Sequence, residues 1–306
     1  MRSYFSLLRR EFNFFLKKLN FLLNNEKYDL IVASTSPILD IICYYYSRKY
    51  KTKILCDLQD SYDVYDEYKI PFIKHMDKYI IKNSDMVICV SQTLKNRIKK
   101  FRNKPTFVIE NGIEKNLFKP LDKIKCRKSL KLPLDSKIIV YIGHIAKLKG
   151  FNVLLGAFNI VRKKFPNSYL IISGQIDKDV SIKHKNVIFN PLPKRNQVVM
   201  AINAGDVAVI PNLKNDFTEY CFPYKLAEYM ACQVPIVATN VGDVGLILKK
   251  YKGSLCQPDD ADGLAKKIIV KLKNYERIDY SQDLKNFDWK ILAENLNNIM
   301  NDFLIK

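Results

Sequence analysis

Glycine is scarce in this chain: there are ten in 306 residues, and none precedes Gly112. The first third therefore cannot build the G-x-G-x-x-G turn that lets a backbone approach a dinucleotide's pyrophosphate. No G-x-x-x-x-G-K-[ST] run occurs anywhere, which excludes a P-loop nucleotidase and leaves nicotinamide chemistry without a cradle. Long apolar runs are missing too. The longest, such as Leu30 to Ala33 and Ile41 to Tyr46, fall far short of the roughly 18 residues that span a bilayer. The first residues are broken repeatedly by charge and do not read as a signal peptide. The seven cysteines are an odd number, with no C-x-x-C pair and no Cys/His cluster. A disulfide framework or a structural zinc site is not expected, and a reducing compartment is.

What is abundant is positive charge. Lysine and arginine number 51 against 31 acidic residues, a net charge of +20. Such a field attracts anions: nucleic acid, acidic lipid headgroups or phosphorylated metabolites. The lysines are scattered, and no zinc-finger spacing or RRM-like signature accompanies them, so nucleic acid is not the expected partner. Scattered lysine also makes an ordinary solvated surface.

Residues 2–24 read as one amphipathic helix. At 100° per residue, Tyr4, Phe5, Leu8, Phe12, Phe15, Leu16, Leu19, Leu22 and Leu23 share an arc of about 120°. Arg2, Arg9, Asn13, Lys17, Asn20 and Asn24 lie opposite, with Arg10 near the edge. Aromatics on one side and cations on the other suit a helix in the plane of an anionic membrane. The same stripe suits a helix packed on its own domain, and different parts of it can do each.

Beyond residue 27, compact apolar runs alternate with helical stretches. Tyr28 to Ala33, Lys53 to Cys56, Met86 to Val90 and Phe107 to Ile109 read as strands buried on both faces. Helices are expected over 38–50, 71–83 and 92–101, the last capped by Ser91. A second series places strands at Ile138 to Ile142, Tyr169 to Ile172, Val187 to Phe189, Val207 to Ile210 and Ile236 to Ala238. Its helices fall at 151–164, 194–203, 223–233 and 259–273, and a final helix runs from Trp289 to Phe303. Strands separated by helices imply parallel sheets of right-handed βαβ units. The expected fold is thus α/β, with two doubly wound, Rossmann-like parallel-sheet lobes facing a cleft. The lobes divide as 1–119 and 120–286, and 287–306 form a helix that packs back on the first.

Two strand-to-helix junctions of the second lobe carry candidate chemistry. In the first, a strand ends at Gly143-His144, and a loop delivers Lys149-Gly150 to a helix start. Free N–H groups and the positive dipole end there favour a phosphate, and Lys149 adds a full charge. A lysine before a helix is also commonly just solvated. The second is Tyr220-Cys221-Phe222-Pro223-Tyr224-Lys225-Leu226-Ala227-Glu228. Pro223 suits the first helical position, and Lys225 sits in the first turn, where a cation is disfavoured unless an anion is present. Glu228, three residues on, shares its face and can accept both hydroxyls of a ribose. As a bare surface ion pair, Lys225 and Glu228 would contribute only a few tenths of a kcal/mol.

Taken together, Y-x-G-(x)5-K-G followed by P-x-K-L-x-E-Y-M-A-(x)3-P-I-V-A-T resembles the nucleotide-sugar-dependent glycosyltransferases of family 4, which have the GT-B fold. Asn111-Gly112-Ile113 with Phe118, the run Asp206 to Pro211 and the helix beginning at Trp289 support it. The resemblance spans about residues 28–300 and is looser in the first lobe, where Ser34 to Pro37 and Asp57 to Asp60 match only part of the family. It implies a donor site in the second lobe formed by Gly143, His144, Lys149, Gly150, Tyr220, Phe222, Pro223, Tyr224, Lys225, Leu226 and Glu228. Lys149 would bind the diphosphate and Glu228 the ribose. Transfer would be retaining and metal-free, with no cofactor beyond the nucleotide sugar itself, because cations and helix N-termini stabilise the leaving diphosphate.

Departures from the pattern are informative. The family commonly has arginine where His144 stands and a glutamate where Tyr220 stands, with Glu219 one position off; Lys225 would supply the missing cation. The family's opening strand and glycine-rich loop have no counterpart, so the expectation is one of three: a fragment of a longer protein, a first lobe completed by a partner chain, or a reduced first lobe. Asp57, Asp60, Asp63 and Asp66 recur every third residue. Asp60 is the candidate to orient an acceptor hydroxyl, and the run equally suits a polar loop capping the next helix. Asp177-Lys-Asp179 lacks the surroundings of a metal-binding D-x-D and reads as a surface turn. The expected protein is a glycosyltransferase at the cytoplasmic face of a membrane, with a lipid-linked saccharide or surface-glycan precursor as acceptor. A weak GT-B subunit needing a partner and a GT-B nucleotide-sugar epimerase are the alternatives.

Overall fold

The computed structural model describes the backbone of residues 2–182 and 184–305, and their side chains from Asn13 onward, Val64 excepted. The chain divides into two compact units. One comprises Met1–Val90, Lys95–Val108 and Ile299–Lys306; the other comprises Ser91–Leu94 and Ile109–Asn298.

In the first unit, β1 (Leu30–Ser34), β2 (Lys53–Leu58), β3 (Met86–Cys89) and β4 (Thr106–Val108) form one parallel sheet in chain order. The central strands carry unbroken apolar runs because both faces are covered: Ile54, Leu55, Cys56, Met86, Val87 and Cys89 are buried. Four helices alternate with them: α1 (Arg2–Asn25), α2 (Pro37–Tyr50), α3 (Ile73–Asn83) and α4 (Gln92–Lys99). Each sits within two residues of its expected span. Ser36 caps α2 by accepting from the Ile38 N–H at 3.2 Å, and the Ser91 hydroxyl accepts from the Leu94 N–H at 3.1 Å. Without glycine, the turns at Thr35 (φ 73°), Lys51 (φ 55°) and Phe72 (φ 70°) put side-chain-bearing residues into left-handed backbone.

Helix α1 serves its own unit along its last turns. Leu23 is buried, and Leu16 lines one groove together with residues of α2 and α3. The polar side does not simply face water. The Asn20 Oδ1 accepts from Lys49 Nζ and from the Tyr50 hydroxyl, both at 2.8 Å, because α2 turns its aromatic hydroxyls toward it. Phe14, Phe15 and Phe21 are exposed. The side chains of Arg2, Tyr4, Phe5, Leu8, Arg9, Arg10 and Phe12 lie outside the described residues.

The second unit is built on a six-stranded parallel sheet of order β10-β9-β8-β5-β6-β7. The strands are β5 (Lys137–Ile142), β6 (Ser168–Ser173), β7 (Val187–Phe189), β8 (Val207–Ile210), β9 (Ile236–Thr239) and β10 (Leu255–Cys256). The chain starts in the middle at β5, winds outward through β6 and β7, then returns to β8 on the other flank and winds outward again. The order therefore reverses between β5 and β8, and in open α/β sheets ligands bind outside the carboxyl ends of the strands at such a point. Phe151, Leu154 and Phe158 of α6 (Phe151–Lys164) and Leu264 and Ile268 of α11 (Ala261–Lys273) pack on one sheet face, in a core with Ile139, Tyr141, Leu170, Val207 and Val209. Each such side chain contributes about 1.5–3 kcal/mol by leaving water.

Helices α7 (Arg195–Ala204), α9 (Tyr224–Ala231) and α13 (Trp289–Ile305) follow the expected pattern. The short α5 (Lys123–Ser129), α8 (Asp216–Tyr220), α10 (Gly242–Leu248) and α12 (Ser281–Leu284) and the two-residue β10 have no counterpart in the sequence reading, since one or two turns leave no periodic signal. α5 is fastened from outside itself: Arg127 donates to the Ala204 carbonyl at 2.9 Å and pairs with buried Asp206 at 2.8 Å.

Candidate active site

The first junction lies at the carboxyl end of β5. Gly143 has φ 130°, and a Cβ there would lie 3.1 Å from both Cε and Nζ of Lys225. His144 follows; its carbonyl accepts from the Tyr141 hydroxyl and its Nε2 contacts Asp177 Oδ1, both at 2.6 Å. Asp179 pairs with Lys147 at 3.1 Å, so the two acidic residues of that loop are each taken up by a neighbouring side chain, as in a surface turn. A 3-10 turn, Lys147–Lys149, leads to Gly150 and α6. Gly150 has φ 77°, and a Cβ there would stand 1.8 Å from the Pro211 carbonyl oxygen at the end of β8. The junction is thus pressed into the place where the strand order reverses. Lys149 Nζ lies 4.9 Å from the centre of the Phe217 ring, and Asn215 donates to the Leu148 carbonyl at 2.9 Å, holding the lysine-bearing turn against α8.

The second junction enters α9. Pro223 is the cap residue (φ −77°, ψ 121°) and α9 begins at Tyr224, one residue later than proline's preference for the first helical position suggests. Phe222 is buried, 5.0 Å ring to ring from Phe287, and its carbonyl accepts from Asn111 Nδ2 at 3.2 Å. Beside Asn111, Gly112 is needed because a Cβ would come 2.4 Å from the Trp289 ring. Tyr224 is exposed and Leu226 fully buried. The Tyr220 carbonyl accepts from the Ser91 hydroxyl at 2.5 Å. Glu219 accepts from the Gly242 N–H at 3.3 Å, so it takes a backbone role beside the place where the family's glutamate was sought.

Lys225 is the least ordinary residue of the site. The residue as a whole is half-buried, but its Nζ is sealed from solvent and has no hydrogen-bond partner. The nitrogen sits 4.1 Å from the centre of the Tyr141 ring. Burial, and then the nearby Lys149 charge, push its pKa down to about 7, against the opposing pull of Cys221 and Glu228. Lys149 and Glu228 thus both influence the charge of the Lys225 nitrogen. The i, i+3 ion pair is not made. Glu228 instead has Arg195 Nη2 at 4.0 Å, a guanidinium that also lies 3.2 Å from Glu114. Burial raises the Glu228 carboxyl above its ordinary range, partly offset by Arg195 and Lys225.

One bond ties the junctions together. The Ile142 N–H, just before Gly143, donates to the Tyr229 hydroxyl at 2.9 Å, next to Glu228 in sequence. Tyr229, Arg195, Glu114 and Phe217 were not anticipated. Tyr229 stands in the motif but reads as core, and no local pattern brings Arg195 to Glu114 and Glu228.

Asp60 belongs to the first unit, where its neighbours are structurally engaged. Asp57 accepts from Ser34 at 2.9 Å and Gln59 at 2.7 Å. Asp63 pairs with Lys74 at 2.6 Å and with Arg97, and exposed Asp66 pairs with Lys69 at 2.6 Å. Asp60 lies beside Tyr65, whose hydroxyl it helps to keep protonated. Among the described residues, no cluster of three or more His, Cys, Asp or Glu could hold a metal ion, and no helix is long and apolar enough to cross a membrane.

The model of the family described as Glycosyl transferases group 1 matches residues 136–274, and that of Glycosyltransferase Family 4 matches residues 2–117. The capsular polysaccharide biosynthesis glycosyltransferase CapM of Staphylococcus aureus is 28% identical over 249 residues, covering 75% of this chain and 64% of its own length. The N-acetyl-alpha-D-glucosaminyl L-malate synthase of Bacillus anthracis is 25% identical over 217 residues, 67% of this chain and 55% of the relative. The chain thus spans less than two thirds of the length of these relatives. Among solved structures, the sucrose-phosphate synthase of Thermosynechococcus elongatus superposes with a TM-score of 0.75 at 20% identity, over 95% of this chain and 77% of that one. Anabaena HepE in complex with UDP gives 0.73 at 18%, over 90% and 79%. With both parts of the chain matched and the two parallel-sheet units in place, the protein belongs to the GT-B glycosyltransferases of the family 4 type.

Proposed function

We propose that the chain transfers a hexosyl group from a nucleotide diphosphate sugar, with retention and without a metal, to a membrane-linked saccharide or surface-glycan precursor. The observation that supports it most is the convergence of Lys149, Lys225 and Glu228 where the strand order of the second unit reverses. The N-terminal end of α6 and the two lysines would hold the diphosphate, and Glu228 the ribose hydroxyls. As the sugar–phosphate bond breaks, charge grows on the leaving diphosphate, and cations already in place stabilise it without reorganising. Asp60 is the candidate to orient the acceptor hydroxyl. The Anabaena neighbours are titled as complexes with UDP and with UDP-glucose, which makes a uridine donor the first to try.

A thermal-shift panel of UDP-, GDP- and ADP-sugars tests this reading. Stabilisation follows mass action, so even a weak site raises the melting temperature at high ligand concentration. One nucleotide class should stabilise the chain, and Glu228→Ala should abolish the effect. No stabilisation by any of them, or an unchanged effect in Glu228→Ala, overturns it. With a stabilising donor in hand, turnover that releases free nucleotide and an epimerised sugar without any acceptor would replace transfer by epimerisation.

The membrane part of the reading is supported by the first unit. A groove of about 910 Å³ runs between α1, α2 and α3, lined by Leu16, Ile41, Tyr45, Phe72, Met76 and Tyr79 among others. Phe72 is 76% and Tyr45 62% exposed, an unusual display of aromatic surface. Arg48, Lys49 and His75 also line it. Apolar surface rimmed by cations suits an anionic bilayer on the cytoplasmic side. The protein should sediment with vesicles containing phosphatidylglycerol and not with neutral ones, and Phe72→Ser with Tyr45→Ser should release it. Equal sedimentation with and without residues 1–24 counts against a role for α1.

A further inference from the structure

Lys225 poses a physical problem that donor binding alone does not solve. A buried ammonium needs acceptors, and this one has none. The face of Tyr141 offers it a weak attraction, far less than the water it has lost. The charged and titratable groups acting on it are Lys149 from the β5–α6 junction, Cys221 from the segment after α8, and Glu228 from its own helix. The largest effect of a charged neighbour on it comes from another cation, Lys149. Placed so, the side chain is better off as a neutral amine while the site is empty, and only an incoming anion makes the charged form worth keeping.

We propose that Lys225 is uncharged in the empty site and takes up one proton from solvent as the diphosphate of a nucleotide sugar arrives. The inference rests on reading this site as the donor site and concerns its regulation. The proton comes from bulk buffer and joins the nitrogen lone pair, making an ammonium that the two phosphates pair with directly. The coupling has two consequences. Without the donor, Lys225 adds no buried positive charge to that of Lys149. Donor affinity becomes a function of pH, because whatever binds more protons in the complex than in the free protein is weakened as pH rises. With burial and Lys149 holding the free amine near a pKa of about 7, affinity is flat below that pH and falls by up to tenfold per unit above it.

The test is isothermal titration calorimetry at about pH 8, in buffers of differing ionisation enthalpy. The ligand is whichever sugar of the UDP, GDP or ADP panel stabilises the protein. The phosphates of a nucleotide sugar do not titrate between about pH 5 and 9, so any proton counted belongs to the protein. The expected result is uptake of close to one proton per donor at pH 8, vanishing near pH 6. Lys225→Arg, which keeps its charge, should bind the donor with no uptake. Lys225→Met should bind more weakly and also without uptake. Binding with no proton exchanged by the natural protein overturns the proposal and leaves the donor site standing. The same uptake in Lys225→Arg or Lys225→Met assigns the proton to another group and overturns it too. If no nucleotide sugar binds, the donor-site reading fails and this inference with it. Should Lys225→Met not fold, Lys225→Arg decides.

Discussion

The hydrogen bond between Tyr229 and the end of β5 is the cheapest place to break the site without touching a ligand. Above Val140, β5 has no ladder partner on its β8 side: the pairing consists of Ile139 with Val207 and Val140 with Ala208. The Ile142 N–H is met there by the Tyr229 hydroxyl at 2.9 Å. Tyr229→Phe keeps the ring and removes the oxygen, so a buried donor loses its only acceptor, at a cost of about 1–3 kcal/mol. For a unit of this size, each kcal/mol lowers the melting temperature by about 2–4 °C; a cost near the middle of the range gives about 4–8 °C. The same bond ties Gly143 to the turn of helix that carries Lys225 and Glu228, so donor affinity should fall as well, by severalfold. Differential scanning fluorimetry with and without a saturating nucleotide sugar reads both effects in one plate. A melting temperature within about 1 °C of the parent refutes the stability argument. A destabilised variant that binds donor as tightly as the parent refutes the view that this bond aligns the two junctions.

Gly150→Ala should be costly whatever the ligand, because left-handed backbone and a Cβ 1.8 Å from the Pro211 carbonyl together exceed about 3 kcal/mol; a lower urea midpoint checks it. Arg127→Met removes one of the two cations paired with the buried Asp206 carboxylate, leaving Lys123 at 2.8 Å and the Ile138 N–H at 2.7 Å, and should cost about 3 kcal/mol in the same assay. In the first unit, Asp40 and Asp77 are buried beside each other, with both oxygens of Asp40 unpartnered. Burial, and for Asp40 then the Asp77 charge, raise both carboxyls above their ordinary range. The folded chain then holds more protons than the unfolded one, and stability falls as pH climbs from the ordinary carboxylate range through the raised values. Asp40→Asn should flatten that slope in melts between about pH 5 and 8; an unaltered slope sinks the assignment.

Much of this architecture shows in the sequence because parallel strands covered on both faces leave unbroken apolar runs. Val187 to Phe189 and Val207 to Ile210 are strands at the expected residues, and α6 spans 151–164 as read. Elements without an apolar run of their own were invisible: α8 over Asp216–Tyr220 reads as a polar loop, and β10 offers only Leu255 and Cys256. At the site, the residues that act through local geometry were legible. Gly150 at a strand-to-helix turn and Glu228 three places after Lys225 are patterns within one helical turn. What was not legible depends on residues far apart in the chain. The hydroxyl of Tyr229 meets a backbone group 87 positions earlier, and Arg195 reaches Glu114 across 81. The sealing of the Lys225 nitrogen follows from the meeting of two such segments, and a lysine in a first helical turn gives no hint of it.

The glycine-free bends of the N-terminal unit have a bearing on the ensemble from which it folds. Thr35, Lys51 and Phe72 adopt a shape that costs each of them energy once folded, but a chain without glycine also wanders less when denatured and surrenders less freedom on ordering. Exchanging these residues for glycine relieves the one while enlarging the other, and a measured net gain or loss would reveal which side of that balance governs how the unit acquires its form.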